Sequence, residues 1–291
     1  MKKVAIVTDT TACVPAEYVA RLGIRVVPVL LIIGEKTYRD GIDISAAEFY
    51  TLLRQEKKMP TTSSSSPELY LNAFREASRR APAILCLTAP ARFSAMYESA
   101  RVAMQIARDT LNNVIIEVME CATAAAGQGL VALAAARAAE LGEPMAEVKK
   151  IAGEIMSRVN LYAVLDTLRY LARSGRVPQA AAMVNSILSI KPVFTLNNAD
   201  PHTVALPRTM QSAMDRMLKL MEGAAAGQKL HVAVMHADVP EQAANFKNRI
   251  ASRFDCEEIF ITEFTPVMGA HTGPGLIGVA FYGDIPEAES R

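Results

Sequence analysis

The strongest constraint in this chain is a rhythm in which short β-branched runs alternate with longer Ala-rich stretches of helical character. Val4–Thr8, Val26–Ile33, Ala83–Leu87 and Val114–Val118 read as strands, and helix-forming segments follow, the first near Pro15–Leu22. Strand, helix, strand in this order implies an α/β fold with a mostly parallel sheet and right-handed crossovers. Val26–Ile33 is continuously apolar, as a strand covered on both faces must be. At eight residues it is also the longest apolar run, about half of what a membrane-spanning helix needs. No stable membrane insertion is expected. Lys2 and Lys3 precede an apolar stretch that Asp9 interrupts too early for a signal peptide, so the expected location is cytoplasmic.

Local chemistry marks several helix starts. Ser45 precedes Ala46-Ala47-Glu48 and can cap a helix, with Glu48 closing a capping box. Ser66-Pro67-Glu68 repeats the logic, with Pro67 at a first helical position where its missing N–H costs nothing. Beyond residue 160 the pattern changes. Leu161–Leu165 reads as a strand, Leu168–Arg173 as a short helix ended by Gly175, Val177–Leu188 as a helix and Ile190–Leu196 as extended. Asn197–Pro201 reads as a turn. A helix near Arg208–Met221, strand His231–Met235, helix Pro240–Phe254 and strands Ile259–Phe264 and Leu276–Tyr282 complete the chain. We therefore expect two α/β domains, 1–160 and 161–291, although no Gly/Ser linker marks the boundary.

Charge and cysteine usage narrow the function. Thirty-one Lys plus Arg face 30 Asp plus Glu, a net charge of +1 with no basic stripe, which argues against nucleic acid as a partner. With 51% hydrophobic and 21% charged residues the chain has ample material for a core. Cys13, Cys86, Cys121 and Cys256 are far apart and form no CxxC pair, so neither a disulfide framework nor a metal site is expected. A mean hydropathy of +0.17 with 14 Met and no Trp fits a large Ala- and Leu-rich core, and leaves room for an apolar surface facing an apolar ligand.

Phosphate-binding loops of the G-x-x-x-x-G-K-[ST] type and G-x-S-x-G elbows do not occur in this sequence. Gly127-Gln128-Gly129 matches a loose dinucleotide pattern, but no acidic residue ends a following strand to hold a ribose; close helix packing through small residues is the better account. Three segments carry candidate binding chemistry. Pro60-Thr61-Thr62-Ser63-Ser64-Ser65-Ser66-Pro67 holds six consecutive hydroxyl residues, a polar connector or a cradle for an anionic group. Ser94 falls where a strand meets a helix, beyond the carboxyl end of a sheet strand, where open α/β sheets bind ligands; a helix cap is the plainer role. Val267–Gly275 reads as a Gly-rich turn carrying His271, whose imidazole can donate to a carboxylate. His202, His231 and His236 read as structural.

Taken together, these segments resemble the DegV family of bacterial fatty-acid-binding proteins over nearly the whole chain. Thr8-Asp9-Thr10-Thr11-Ala12 is similar to T-D-S-T-A, and Tyr38-Arg39-Asp40-Gly41-Ile42-Asp43-Ile44 with Glu48-Phe49-Tyr50 to Y-x-D-G-x-D-I…E-F-Y. Pro60–Ser63 matches P-T-T-S; Asp166–Leu171 with Ser174-Gly175-Arg176 resembles D-T-L-x-Y-L…G-G-R. Ile190-Lys191-Pro192 and His271-Thr272-Gly273-Pro274-Gly275 complete the series. The resemblance implies one long-chain fatty acid held between two domains, its carboxylate at Thr61, Thr62, Ser94 and His271. It implies no catalysis and no cofactor in this subunit, and a separate ATP-dependent fatty acid kinase as partner, docking near Arg173 and Arg176. Ala95 and Met96 stand where the family has Gly and Thr, Glu120-Cys121-Ala122 stands where D-S is usual, and Ser174 replaces the first Gly of G-G-R. A Ser94/His271 esterase or hydrolase is the alternative, and a purely structural α/β protein a third.

Overall fold

The computed structural model describes residues 2–55, 59–184 and 190–284. The first half of the chain builds β1 (Val4–Asp9), α1 (Ala16–Leu22), β2 (Arg25–Val27), β3 (Leu30–Ile33), β4 (Lys36–Arg39), α2 (Ala46–Gln55), β5 (Thr61–Ser63) and α3 (Pro67–Ser78). It continues through β6 (Ala83–Thr88), α4 (Met96–Thr110), β7 (Ile115–Glu120), α5 (Ala126–Glu140) and α6 (Met145–Arg158). The second half holds β8 (Asn160–Val164), α7 (Arg169–Ser174), α8 (Pro178–Val184), β9 (Val193–Asn197), β10 (Asp200–Ala205) and α9 (Met210–Ala225). It ends with β11 (Leu230–His236), α10 (Pro240–Ala251), β12 (Cys256–Glu263), α11 (Pro266–Thr272) and β13 (Ile277–Gly283).

These strands form three sheets. A parallel sheet has the order β2-β1-β6-β7, and its two central strands are buried along their whole length. A six-stranded sheet runs β10-β9-β8-β13-β11-β12, antiparallel except for the β11–β12 pair. A small antiparallel sheet has the order β4-β3-β5. The expected α/β class is therefore present, with a parallel sheet from residues before Cys121 and a mixed sheet from residues after Val159.

Several expected elements change on folding. Val26–Ile33 is not one strand: β2 joins the parallel sheet, β3 joins the small one, and Pro28 lies between them. A proline has no N–H to donate to a ladder, so an apolar run interrupted by one is free to change sheets there. The hydroxyl run is not a loose connector, because Thr61–Ser63 pairs antiparallel with β3, Leu31 opposite Thr62. The Asn197–Pro201 turn begins a further strand, β10, which carries little apolar pattern to announce it. The expected helix over Val177–Leu188 is present as α8, and its last residues, 185–188, lie outside the described residues. Ser45 and Glu48 form the expected reciprocal cap, with Glu48 accepting from the Ser45 N–H at 2.9 Å and Ser45 Oγ from the Glu48 N–H at 3.3 Å. Ser66 takes N-cap geometry before Pro67, but its hydroxyl makes no cap bond.

α5 is the helix on which the layers close. Its Ala-rich surface is buried almost all round, against β1 on one side and β11 and β13 on the other. A helix apolar on every face must be enclosed, and alanines let both sheets approach closely. Gly129 serves that packing, since a Cβ on it would lie 2.5 Å from the Ala12 carbonyl oxygen, whereas Gly127 makes room for the Thr123 side chain in the loop that leads into α5. Gln128 between them donates to Thr8 Oγ1 at 3.2 Å and accepts from Thr11 Oγ1 at 3.0 Å. Asp9, buried at the end of β1, accepts from the Thr11 and Ala89 N–H groups at 3.0 Å each. Burial pushes its carboxyl up, and these donors pull against that shift.

Gly129→Ala should destabilise the fold by roughly 1–3 kcal/mol, because the added methyl meets backbone that cannot move aside. Urea unfolding checks this, and an unchanged midpoint would show that α5 is free to shift.

Candidate functional site

A cavity of about 870 Å³ opens beyond the N-terminal end of α5. Its walls come from the loops after β1 and β6, the inner face of β8 and β9, and helices α7 and α11. Strand alternation decides which side chains it receives. Ala163 lies opposite Phe194, and this pair with Leu161 and Leu196 faces the cavity. Val164 lies opposite Val193, and these point the other way into the core packed against α9. Leu171, Val177 and Phe264 extend the apolar lining. Ala125, at the entrance to α5, also lines it, with φ 51° and ψ −139°. A non-glycine residue held in such a region costs roughly 1–3 kcal/mol, so the chain turns into α5 under strain beside the cavity.

The polar side of the cavity is built by two distant segments. Thr62 is fixed by its place opposite Leu31 in the small sheet, which leaves it half-buried; its neighbours Thr61 and Ser63 are exposed, and of the two only Ser63 borders the cavity. His271 sits in the last turn of α11. Thr62 Oγ1 and His271 Nε2 are 3.0 Å apart, a hydrogen bond across 209 residues of sequence. Burial, reinforced by the positive charge of Arg176, pushes the His271 imidazole down to about 4. At neutral pH the ring is therefore uncharged, with one N–H to offer.

The expected turn around His271 is thus a helix. Pro266 occupies its first turn, and Gly273 at φ 72° ends it. Gly269 is required for packing rather than turning, since a Cβ there would lie 2.6 Å from the Tyr50 hydroxyl and 2.8 Å from the Phe49 ring.

Of the sequence candidates, Thr62, Ser94, His271 and Arg176 line the cavity. Thr61 is exposed and outside the lining. Arg173 is exposed in the last turn of α7, also outside it. Arg176 is exposed at the rim, its Nη1 donating to the Ser174 carbonyl at 2.6 Å. Ser94 is half-buried and does not cap α4, whose N-cap position is Ala95. Among the described residues Ser94 is not hydrogen-bonded to His271, whose ring pairs with Thr62 instead; a nucleophile–base pair is not assembled. His202, His231 and His236 lie outside the lining. His231 bridges Glu258 at 2.8 Å and Asp284 at 3.0 Å, and His236 is buried.

Three features escaped the sequence reading. Met96 is fully buried, and its sulfur accepts the Ser65 N–H at 3.2 Å, holding the hydroxyl-rich segment in place. Arg92, on the rim, pairs with Asp200 at 2.5 Å, while the Ala199 N–H donates to the Ala122 carbonyl at 2.6 Å. These contacts tie the β9–β10 hairpin across the cavity to the loops after β6 and β7. The hint was Asn197-Asn198-Ala199-Asp200, whose two middle residues take left-handed φ of 49° and 58°. Among the described residues no His/Cys/Asp/Glu cluster could hold a metal, and no helix is long and apolar enough to cross a membrane.

Comparison with known proteins places this geometry. A family model described as "Uncharacterised protein, DegV family" matches residues 3–284. A DegV domain-containing protein of Streptomyces coelicolor is 33% identical over 280 residues, covering 96% of this chain and 98% of its own. A solved structure described as "Fatty Acid Binding of a DegV family Protein from Thermus thermophilus" superposes with a TM-score of 0.89 at 28% identity, covering 97% of this chain and all of that one. The Bacillus subtilis DegV structure, described as a fatty acid binding protein, superposes at 0.87 with 26% identity, covering 98% and 100%.

His271 should titrate by NMR with a midpoint near 4 in ligand-free protein. Because the unfolded chain then binds more protons than the folded one between about 4 and 6.5, stability should fall as pH drops through that window. His271→Gln should remove that part of the acid sensitivity. A midpoint at or above the ordinary value would show the ring to be solvated.

Proposed function

The chain belongs to the DegV family, and from that premise we propose that it binds a long-chain fatty acid without transforming it. The observation that carries this reading is the Thr62–His271 pair on one side of an otherwise largely apolar cavity. A buried carboxylate without partners is costly, whereas charge-assisted bonds from hydroxyls and an imidazole N–H offset that cost. Thr62, Ser94 and His271 line the cavity and supply such groups, whereas Thr61, beside Thr62 on β5, is exposed and outside the lining. The tail supplies affinity, at about 0.8 kcal/mol per buried CH₂, against Leu161, Phe194, Leu196 and Phe264.

In this reading the units 1–160 and 161–291 act as two lobes enclosing the ligand, in the cytoplasm and without a cofactor. A separate ATP-dependent kinase then receives the acid and forms its acyl-phosphate. Arg173 and Arg176 suit a docking surface for it, since both are exposed and Arg176 stands on the cavity rim. The hydrolase alternative lacks support from the geometry, because His271 is engaged by Thr62.

Mass spectrometry of lipid extracted from gently purified protein should find one fatty acid per chain. Absence of lipid together with ester turnover lost in Ser94→Ala would overturn the carrier reading in favour of the hydrolase. With a partner kinase added, Arg173→Ala, outside the cavity lining, should impair acyl-phosphate formation while fatty-acid binding persists. Equal loss of both would refute a docking role separate from binding.

A further inference from the structure

The helix that presents His271 is short, seven residues from Pro266 to Thr272. A helix of that length has little stability of its own, so its position must be imposed from outside. One restraint is at its far end, where His271 meets Thr62 of β5. The other is at its start. The Thr265 side chain occupies the N-cap position but makes no cap bond. Instead Asp40 Oδ1, arriving from the loop after β4, accepts the Val267 N–H at 3.3 Å. Asp40 is fully buried, and its own N–H donates to the Val29 carbonyl at 2.9 Å, prolonging the ladder between β4 and β3.

Asp40 and Thr62 are thereby rooted in the same small sheet, on either side of β3. One sheet grips α11 at both ends, and the pairing register of β3 sets the spacing between the two grips. Between them Gly269 lies flush against Phe49 and Tyr50, which blocks sideways movement. Val267 and His271 are four residues apart, one helical turn, so a shift at the Asp40 end is carried directly to the imidazole.

We propose that Asp40 is a positioning residue for the binding site: by capping α11 from the small sheet it holds His271 at hydrogen-bonding distance from Thr62. This rests on the reading of His271 as a carboxylate ligand. It also gives a role to the Tyr38–Ile44 segment, which the binding chemistry itself leaves without one. Asp40 is held there against its preference for water, since burial pushes its carboxyl up to about 6.

The test compares palmitate with methyl palmitate, which keeps the tail and lacks the carboxylate, on the full chain and its variants. Asp40→Ala should weaken palmitate about tenfold, the scale of one lost charge-assisted bond, and leave methyl palmitate unchanged. The imidazole ¹⁵N signals of His271 should shift in the same variant without ligand. Asp40→Asn keeps an acceptor for the Val267 N–H and should recover most of both effects. Should Asp40→Ala not fold, Asp40→Ala/Thr265→Asp replaces it, returning a carboxylate to the same helix end from the helix's own N-cap. Unshifted His271 signals, or equal losses for both lipids, would overturn the assignment, as would failure of both the Asn variant and the double variant to restore His271. Failure of the parent reading shows separately, as equal affinity of the unaltered protein for palmitate and its methyl ester.

Discussion

The enclosure of α5 between two sheets is the constraint on which this structure depends. Its alanines bring β1 to one side and β11 and β13 to the other, close enough that Gly129 touches the backbone of the turn after β1. The cavity begins beyond the N-terminal end of α5, with Ala124 and Ala125 on its wall. Core and binding site are therefore one packing solution. The same apolar excess that closes the layers continues as the lining of the space they leave.

The electrostatics of the site follow from that burial. His271 is withdrawn from water and faced by Arg176, so it stays neutral and available as a donor rather than acting as a fixed positive charge. Nothing in the near-zero net charge of the chain had to supply a basic surface. A ligand with one carboxylate and a long apolar tail needs a few donors at one end and a dry wall elsewhere. The small sheet β4-β3-β5 provides the donors' geometry, because it carries Thr62 and, through Asp40, the helix bearing His271.

Much of the fold was legible because its signals are local. The buried strands β1 and β6 show as continuous apolar runs, and the Ser45–Glu48 cap is written in four adjacent residues. The failures are equally physical. β4, β5 and β10 are polar strands whose only reason to be extended is a partner elsewhere in the chain, so no periodicity marks them. The segment around His271 looked like a turn because its glycines were taken for conformational freedom. Gly269 is there instead to admit Phe49 and Tyr50, which no local pattern can reveal. The roles of Arg92, Met96 and Asp40 were missed for the same reason, since each acts on a segment far away in sequence.

By itself the sequence determined the α/β class and the family, and it offered the hydroxyl and imidazole residues from which the proposed carboxylate site is drawn. Those depend on local periodicity and on residue chemistry, which travel with the chain whatever its fold. Tertiary structure alone decided that Thr62 meets His271, that Thr61 faces away, that the imidazole is neutral and that Asp40 holds the helix in place. These are matters of juxtaposition across about two hundred residues and of desolvation, and both exist only once the layers have closed around α5.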